Sequence, residues 1–174
     1  MSRWKPPQPR SSPYITPEGY RLLQDELEQL WTRRVEVTEA LSAAAAEGDR
    51  SENAEYIYRK KQLGEIDRRI RYLQKRLPEL NVVREVGDSN RVFFGARVVL
   101  EDEQGKETGY RIVGGDEIDS DAGKGLVSVD SPMARAMLKK EVGDEVVLKT
   151  GDQTRVFYIN AISYTAPTHE TGPD

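Results

Sequence analysis

Two apolar seams with helical spacing leave this chain few ways to fold. Leu23, Leu27, Leu30, Val37, Leu41 and Ala44 recur at intervals of three and four or their sums, with Arg34 the one polar interruption. Tyr56, Leu63, Ile66, Ile70, Leu73, Leu77 and Leu80 repeat the pattern further on. Such narrow seams leave most of each helix polar, so each needs a partner helix to cover it. The link between them, Glu47-Gly48-Asp49-Arg50-Ser51-Glu52, is short and contains a glycine suited to ending a helix. An antiparallel α-helical coiled-coil hairpin over 16–86 is the simplest solution. Arms of about 30 residues would each rise roughly 45 Å, a projecting rod. Thr16 followed by Pro17 reads as the N-cap and first position of the first helix.

Beyond about residue 85 the period changes. Runs at 92–100, 110–113, 126–129, 145–149 and 156–161 read as short strands, with turn chemistry at 103–106 and 150–152. A helix-prone stretch at 133–140 interrupts them, which makes 87–165 a small sheet domain with a short helix and the whole chain α+β. Residues 1–15, rich in Pro, Ser and Arg, read as a flexible leader, and 166–174 as a flexible tail.

Composition excludes some chemistry and redirects the rest. There is no cysteine, and the single histidine, His169, lies in the polar tail, so thiolate metal sites and disulfides are out. This fits a reducing cytoplasm. No apolar stretch is long enough to span a bilayer, and the Pro-rich start lacks a signal core, so a soluble cytoplasmic protein with no membrane partner is expected. The formal net charge of -4 hides an uneven distribution. Between 59 and 76, eight bases (Arg59, Lys60, Lys61, Arg68, Arg69, Arg71, Lys75, Arg76) face only Glu65 and Asp67. A basic helical face of this kind is most simply a solvated surface, but it also has the charge needed to attract nucleic-acid phosphates. Tyr56, Tyr58 and Tyr72 lie among these bases and have rings on which bases can stack, although Tyr56 also belongs to the seam.

The link carries Asp49 and Glu52 three residues apart, where a core has no use for them. One reading is structural: a capping box in which Asp49 accepts an amide at the start of the second helix and Glu52 reaches back to the cap. The other is chemical: two ionised carboxylates that share a divalent cation. Mg²⁺ takes oxygen ligands and is commonly held by one or two carboxylates, with water and phosphate completing its shell. Two carboxylates alone bind it weakly, so the second reading requires a partner.

Gly48-Asp49-Arg50-Ser51-Glu52-Asn53-Ala54-Glu55-Tyr56 resembles the tip motif of the Gre transcript-cleavage factors. Asp130-Ser131-Pro132-Met133-Ala134-Arg135-Ala136 resembles their C-terminal signature. Glu18-Gly19-Tyr20, Arg91-Val92-Phe93-Phe94-Gly95-Ala96, Arg111-Ile112-Val113-Gly114 and Glu141-Val142-Gly143-Asp144 support it, over about 14–164. Leu30-Trp31 and the runs at 65–73 and 138–144 are most similar to the family's GreB branch.

The resemblance implies a transcription elongation factor that is not itself an enzyme. Its C-terminal domain, FKBP-like with a small antiparallel sheet, would dock on the rim helices of the largest subunit of bacterial RNA polymerase through Asp130, Ser131 and Pro132. The hairpin would enter the secondary channel. There Asp49 and Glu52, supported by Ser51, Asn53 and Glu55, would help hold the second Mg²⁺ of the polymerase active centre and the water that cleaves backtracked RNA. Lys60, Lys61, Arg68 and Arg69 would attract the nascent RNA 3′ end. The free protein is expected to be a monomer that binds no cofactor. The resemblance leaves three rivals: a channel-binding homologue that inhibits without cleavage, a prolyl isomerase by fold analogy alone, and a plain coiled-coil scaffold. The capping reading of the DSP segment, a turn followed by an N-cap, also stays open.

Overall fold

A computed structural model describes residues 10–48, 52–118 and 125–164, which form two compact units: 18–80, and 10–17 together with 81–164.

In the first unit, α1 (Pro17–Ala45) and α2 (Ala54–Arg76) are the two seam helices. Pro17 occupies the first position of α1, where a missing N–H costs nothing. Past the end of α1, Gly48 has φ +131°, a conformation that L side chains rarely adopt. Lys75 and Arg76 in the last turn of α2 complement the helix dipole, and Pro78 turns the chain into a 3₁₀ segment, Leu77–Glu79.

Three cross-links fix the helix direction. Asn53 Nδ2 donates to the Ala44 carbonyl at 2.7 Å, Arg34 Nε to Asp67 at 2.7 Å, and Arg69 grips Glu26 with two bonds of 2.6 and 3.0 Å. As one residue number rises the other falls, so the helices run antiparallel. Between the links Val37, Ile66 and Ile70 are buried against Leu27, Leu30 and Leu63. Arg34, the break in the first seam, sits half-buried with its guanidinium turned to Asp67, so no charge is left in the apolar layer.

The second unit holds a five-stranded sheet in the order β5-β4-β3-β7-β6, formed by β3 (Arg97–Asp102), β4 (Glu107–Val113), β5 (Leu126–Ser128), β6 (Glu145–Thr150) and β7 (Gln153–Ser163). It is mixed rather than wholly antiparallel, because β4 and β5 run parallel. One face is sealed by Val98, Leu100, Ile112, Val146, Phe157 and Ile159, on which Ala134 and Met137 of α3 (Pro132–Met137) pack. The run expected as a strand from 92 begins its pairing only at Arg97. Val92 bonds instead to the loop after α3, accepting from Lys139 N at 2.7 Å and donating to Lys140 O at 2.9 Å. Helix α3 stops at Met137, short of the expected 140, and Lys139 takes φ 69°.

The end of the expected leader is ordered structure. Tyr14–Ile15 form β1, parallel to β2 (Asn81–Val82), and Ile15 is fully buried. Thr16, expected as an N-cap, turns its amide and hydroxyl to the Glu117 carboxylate, with the amide at 3.1 Å. Gly114 lies under this segment: a Cβ there would meet the Tyr14 carbonyl oxygen at 2.0 Å, so no other residue fits.

Candidate functional site

The tip is built from the end of α1, the link and the start of α2. Of its candidate residues, Asp49 and Ser51 lie outside the described residues. Glu52 is exposed and immediately precedes the helix cap. That cap is Asn53, whose amide oxygen accepts from Tyr56 N at 3.0 Å while its NH₂ reaches Ala44 O. The capping box expected at Asp49 and Glu52 is therefore corrected. Helix α2 starts at Ala54, too late for Asp49 to cap it, and one asparagine satisfies an orphan amide on α2 and a carbonyl at the end of α1. A carboxylate has no N–H with which to do the second job. Glu55, in the first turn of α2, is paired with Arg59 at 2.7 Å and partly occupied by that contact.

The basic candidates on α2 separate into two kinds. Lys60, Lys61 and Arg68 are exposed, and among the described residues they form no ion pair. Arg69 is committed to Glu26, and its guanidinium also lies 5.3 Å from the Tyr72 ring centre. Its first role is thus to tie the helices, with cation–π contact to an exposed ring as a second. Tyr58, more than half exposed, is paired in the same way with Arg59 at 5.4 Å.

In the second unit, Ser131 caps α3, its hydroxyl accepting from Ala134 N at 3.1 Å, and Pro132 is exposed at the first helical position. The turn-and-cap reading of this segment is what the geometry contains. The Asp130 carboxylate is partly buried and accepts from Ser12 N at 2.7 Å and from the Ser12 hydroxyl. Sequence reasoning missed Ser12 and Glu117 and read Thr16 only as a helix cap, because a long-range clamp has no local period. It also missed the cap, although Asn just before a helix is among the strongest cap signals.

Among the described residues no helix is long and apolar enough to cross a membrane, and no three His, Asp or Glu side chains gather as a metal site. Fold and site define a class: a helical hairpin with an acidic connecting segment, followed by a small α+β unit presenting a capped turn. The chain belongs to the GreA/GreB family of transcription elongation factors. Residues 13–82 match the family described as transcription elongation factor, N-terminal, and 87–164 the one described as transcription elongation factor, GreA/GreB, C-term.

Within the family it goes with GreB. It is 57% identical to transcription elongation factor GreB of Xanthomonas axonopodis pv. citri over 95% of this chain and 99% of that one. It is 52% identical to GreB of Pseudomonas aeruginosa over 94% of this chain and 98% of that one. A crystal structure of GreA factor homolog 1 of Thermus thermophilus is 28% identical, covering 86% of this chain and 97% of that chain, with a TM-score of 0.39.

Proposed function

We propose that this elongation factor binds bacterial RNA polymerase, places the link between α1 and α2 at the active centre through the secondary channel, and stimulates cleavage of the RNA 3′ end in backtracked complexes. The observation that carries the reading is Glu52. It is exposed, and because Asn53 caps α2 its carboxylate is not needed to hold the helix together.

The donor set at the tip fits Mg²⁺, which takes hard carboxylate oxygens and keeps room for water and phosphate. Asp49 and Glu52 would hold the ion, with the polymerase providing its remaining ligands. When bound, the ion makes water a stronger nucleophile and offsets charge on the phosphate. The chain itself contributes position and charge. Asn53 fixes where α2 begins and ties it to α1, so the link is short and anchored at both ends. Lys60, Lys61 and Arg68 give the exposed face of α2 a positive potential toward extruded RNA, with Tyr58 and Tyr72 offering rings for stacking. Ser131 and Pro132 offer a rigid turn to the rim helices. The reaction is the polymerase's own, and the factor completes its site.

The test is RNA shortening in halted, backtracked complexes. Asp49→Asn combined with Glu52→Gln should keep polymerase binding and lower the cleavage rate at saturating factor at least about a hundredfold, since carboxylate ligands are lost while size is kept. Absence of shortened RNA with the unaltered protein at saturation would reject the function, as would full activity of the doubly substituted one.

A further inference from the structure

Resting on that reading, we infer that Ser12 is a positioning residue for polymerase docking: through Asp130 it holds the loop at 130–132 in shape. The clamp is the carboxylate of Asp130. Its Oδ2 accepts the Ser12 amide at 2.7 Å and its Oδ1 the Ser12 hydroxyl, so one residue meets both oxygens. The fork needs a short side chain with a donor of its own beside the backbone N–H, which serine and threonine supply and alanine does not.

Ser12 is itself anchored. The carbonyl of Pro13 accepts from Asn81 N at 2.7 Å, and that of Ile15 from Val83 N at 2.9 Å. Thr16 is clamped by Glu117, which also takes the Gly114 amide at 2.7 Å. The segment 12–16 is thus a strap fixed to the unit along its length, with a carboxylate clamp at each end.

On the other side of the clamp the loop has little freedom. Asp130 N donates to Ser128 Oγ at 3.2 Å, Ser131 N to Ser128 O at 2.9 Å, and Ser131 then caps α3. Through Asp130 the strap sets where this turn lies, and the turn sets where exposed Pro132 stands. Hydrogen bonds to an ionised group are the stronger kind, so losing the fork should be felt in docking.

The experiment uses the full chain in the backtracked-complex assay, reading the half-saturating factor concentration and the maximal rate separately. Ser12→Ala should raise the half-saturating concentration about tenfold, the size of one charge-assisted hydrogen bond, with the maximal rate unchanged. Ser12→Thr should restore it. Asp130→Asn should weaken binding similarly, and the combined Ser12→Ala, Asp130→Asn protein should be no worse than the weaker single variant, because both remove one link. A core variant, Val146→Ala, which lies in neither strap nor loop, is matched for its drop in melting temperature.

The inference is overturned if Ser12→Ala stays within twofold of the unaltered protein while Asp130→Asn does not, if the two losses multiply, or if Val146→Ala loses as much affinity. Each of these results leaves the cleavage function standing. Failure of the unaltered protein to bind polymerase overturns both.

Discussion

At the scale of single residues, the side chains that matter most here each bond in two directions. Asn53 is the clearest, accepting from Tyr56 N and donating to Ala44 O. Asn53→Ala loses both bonds and should destabilise the hairpin by about 1–2 kcal/mol, the sum of a cap and a modest carbonyl bond. Asn53→Asp keeps the cap but sets a carboxylate against a carbonyl, so it should fall between the two. Urea denaturation gives the order, and hydrogen exchange at the Tyr56 amide separates the cap from the cross-link; an aspartate indistinguishable from asparagine would remove the cross-link from the account. Tyr164 is a second case, donating to Arg91 O and accepting from Phe93 N at 2.9 Å. Burial raises its pKa above the usual tyrosine value; the Phe93 amide works against this, and the charge of Asp88 adds to it. The folded protein therefore keeps this proton to higher pH than the unfolded chain. The resulting stability is fully present below about pH 10, the unfolded value, and is lost as pH rises through the folded one. Tyr164→Phe should cost about 1 kcal/mol at neutral pH from the lost hydrogen bonds and should flatten the alkaline decline. Denaturation midpoints between pH 7 and pH 11 check both, and an unchanged alkaline slope would contradict the assignment.

At the scale of elements, the apolar seam rather than the ion pairs should carry the hairpin. Ile70 is buried in the layer with Val37 and Ile66, and Ile70→Ala should cost about 2–4 kcal/mol. The Glu26–Arg69 pair has good bidentate geometry but is more than a third exposed, so Glu26→Gln should cost less than about 1 kcal/mol, shrinking further in salt. Calorimetry at two ionic strengths would reverse this ranking if the charges dominated. The seam was legible because burial against one partner helix imposes a period that the sequence must obey. The same reasoning located all five sheet strands but misjudged their edges, since the apolar run from Val92 is used for loop contacts before Gly95 turns the chain into β3. The parallel pairing of β4 with β5 and the β1 strap had no local signature. Both are contacts between segments far apart in sequence, and Pro13 beside Tyr14 reads as a leader until Asn81 and Asp130 are brought against it. At the tip the acidic residues stood out at once, but three good capping residues, Asp49, Ser51 and Asn53, compete for one helix start. Only the α1–α2 pairing, which places Ala44 O opposite Asn53, decides among them.

At the scale of the whole molecule, chemistry and docking are assigned to residues of different compact units: Glu52 belongs to 18–80, and Pro132 to the unit of 10–17 with 81–164. If the tip acts only after the factor is bound, and the turn at 130–132 acts only in binding, the two should report on different kinetic quantities. Glu52→Gln should lower the maximal cleavage rate at saturating factor by at least about tenfold and leave the half-saturating concentration alone, since it removes an interaction made at the reacting phosphate. Pro132→Ala should do the reverse, raising the half-saturating concentration with the maximal rate intact. Residues that share no partner and serve separate steps combine additively in free energy, to within about 0.5 kcal/mol. The double variant should therefore show both single defects side by side, each within about twofold of its value alone. A double variant that binds much worse than Pro132→Ala would mean that the tip also anchors the factor, and the hairpin would then be a docking arm as well as a carrier of carboxylates.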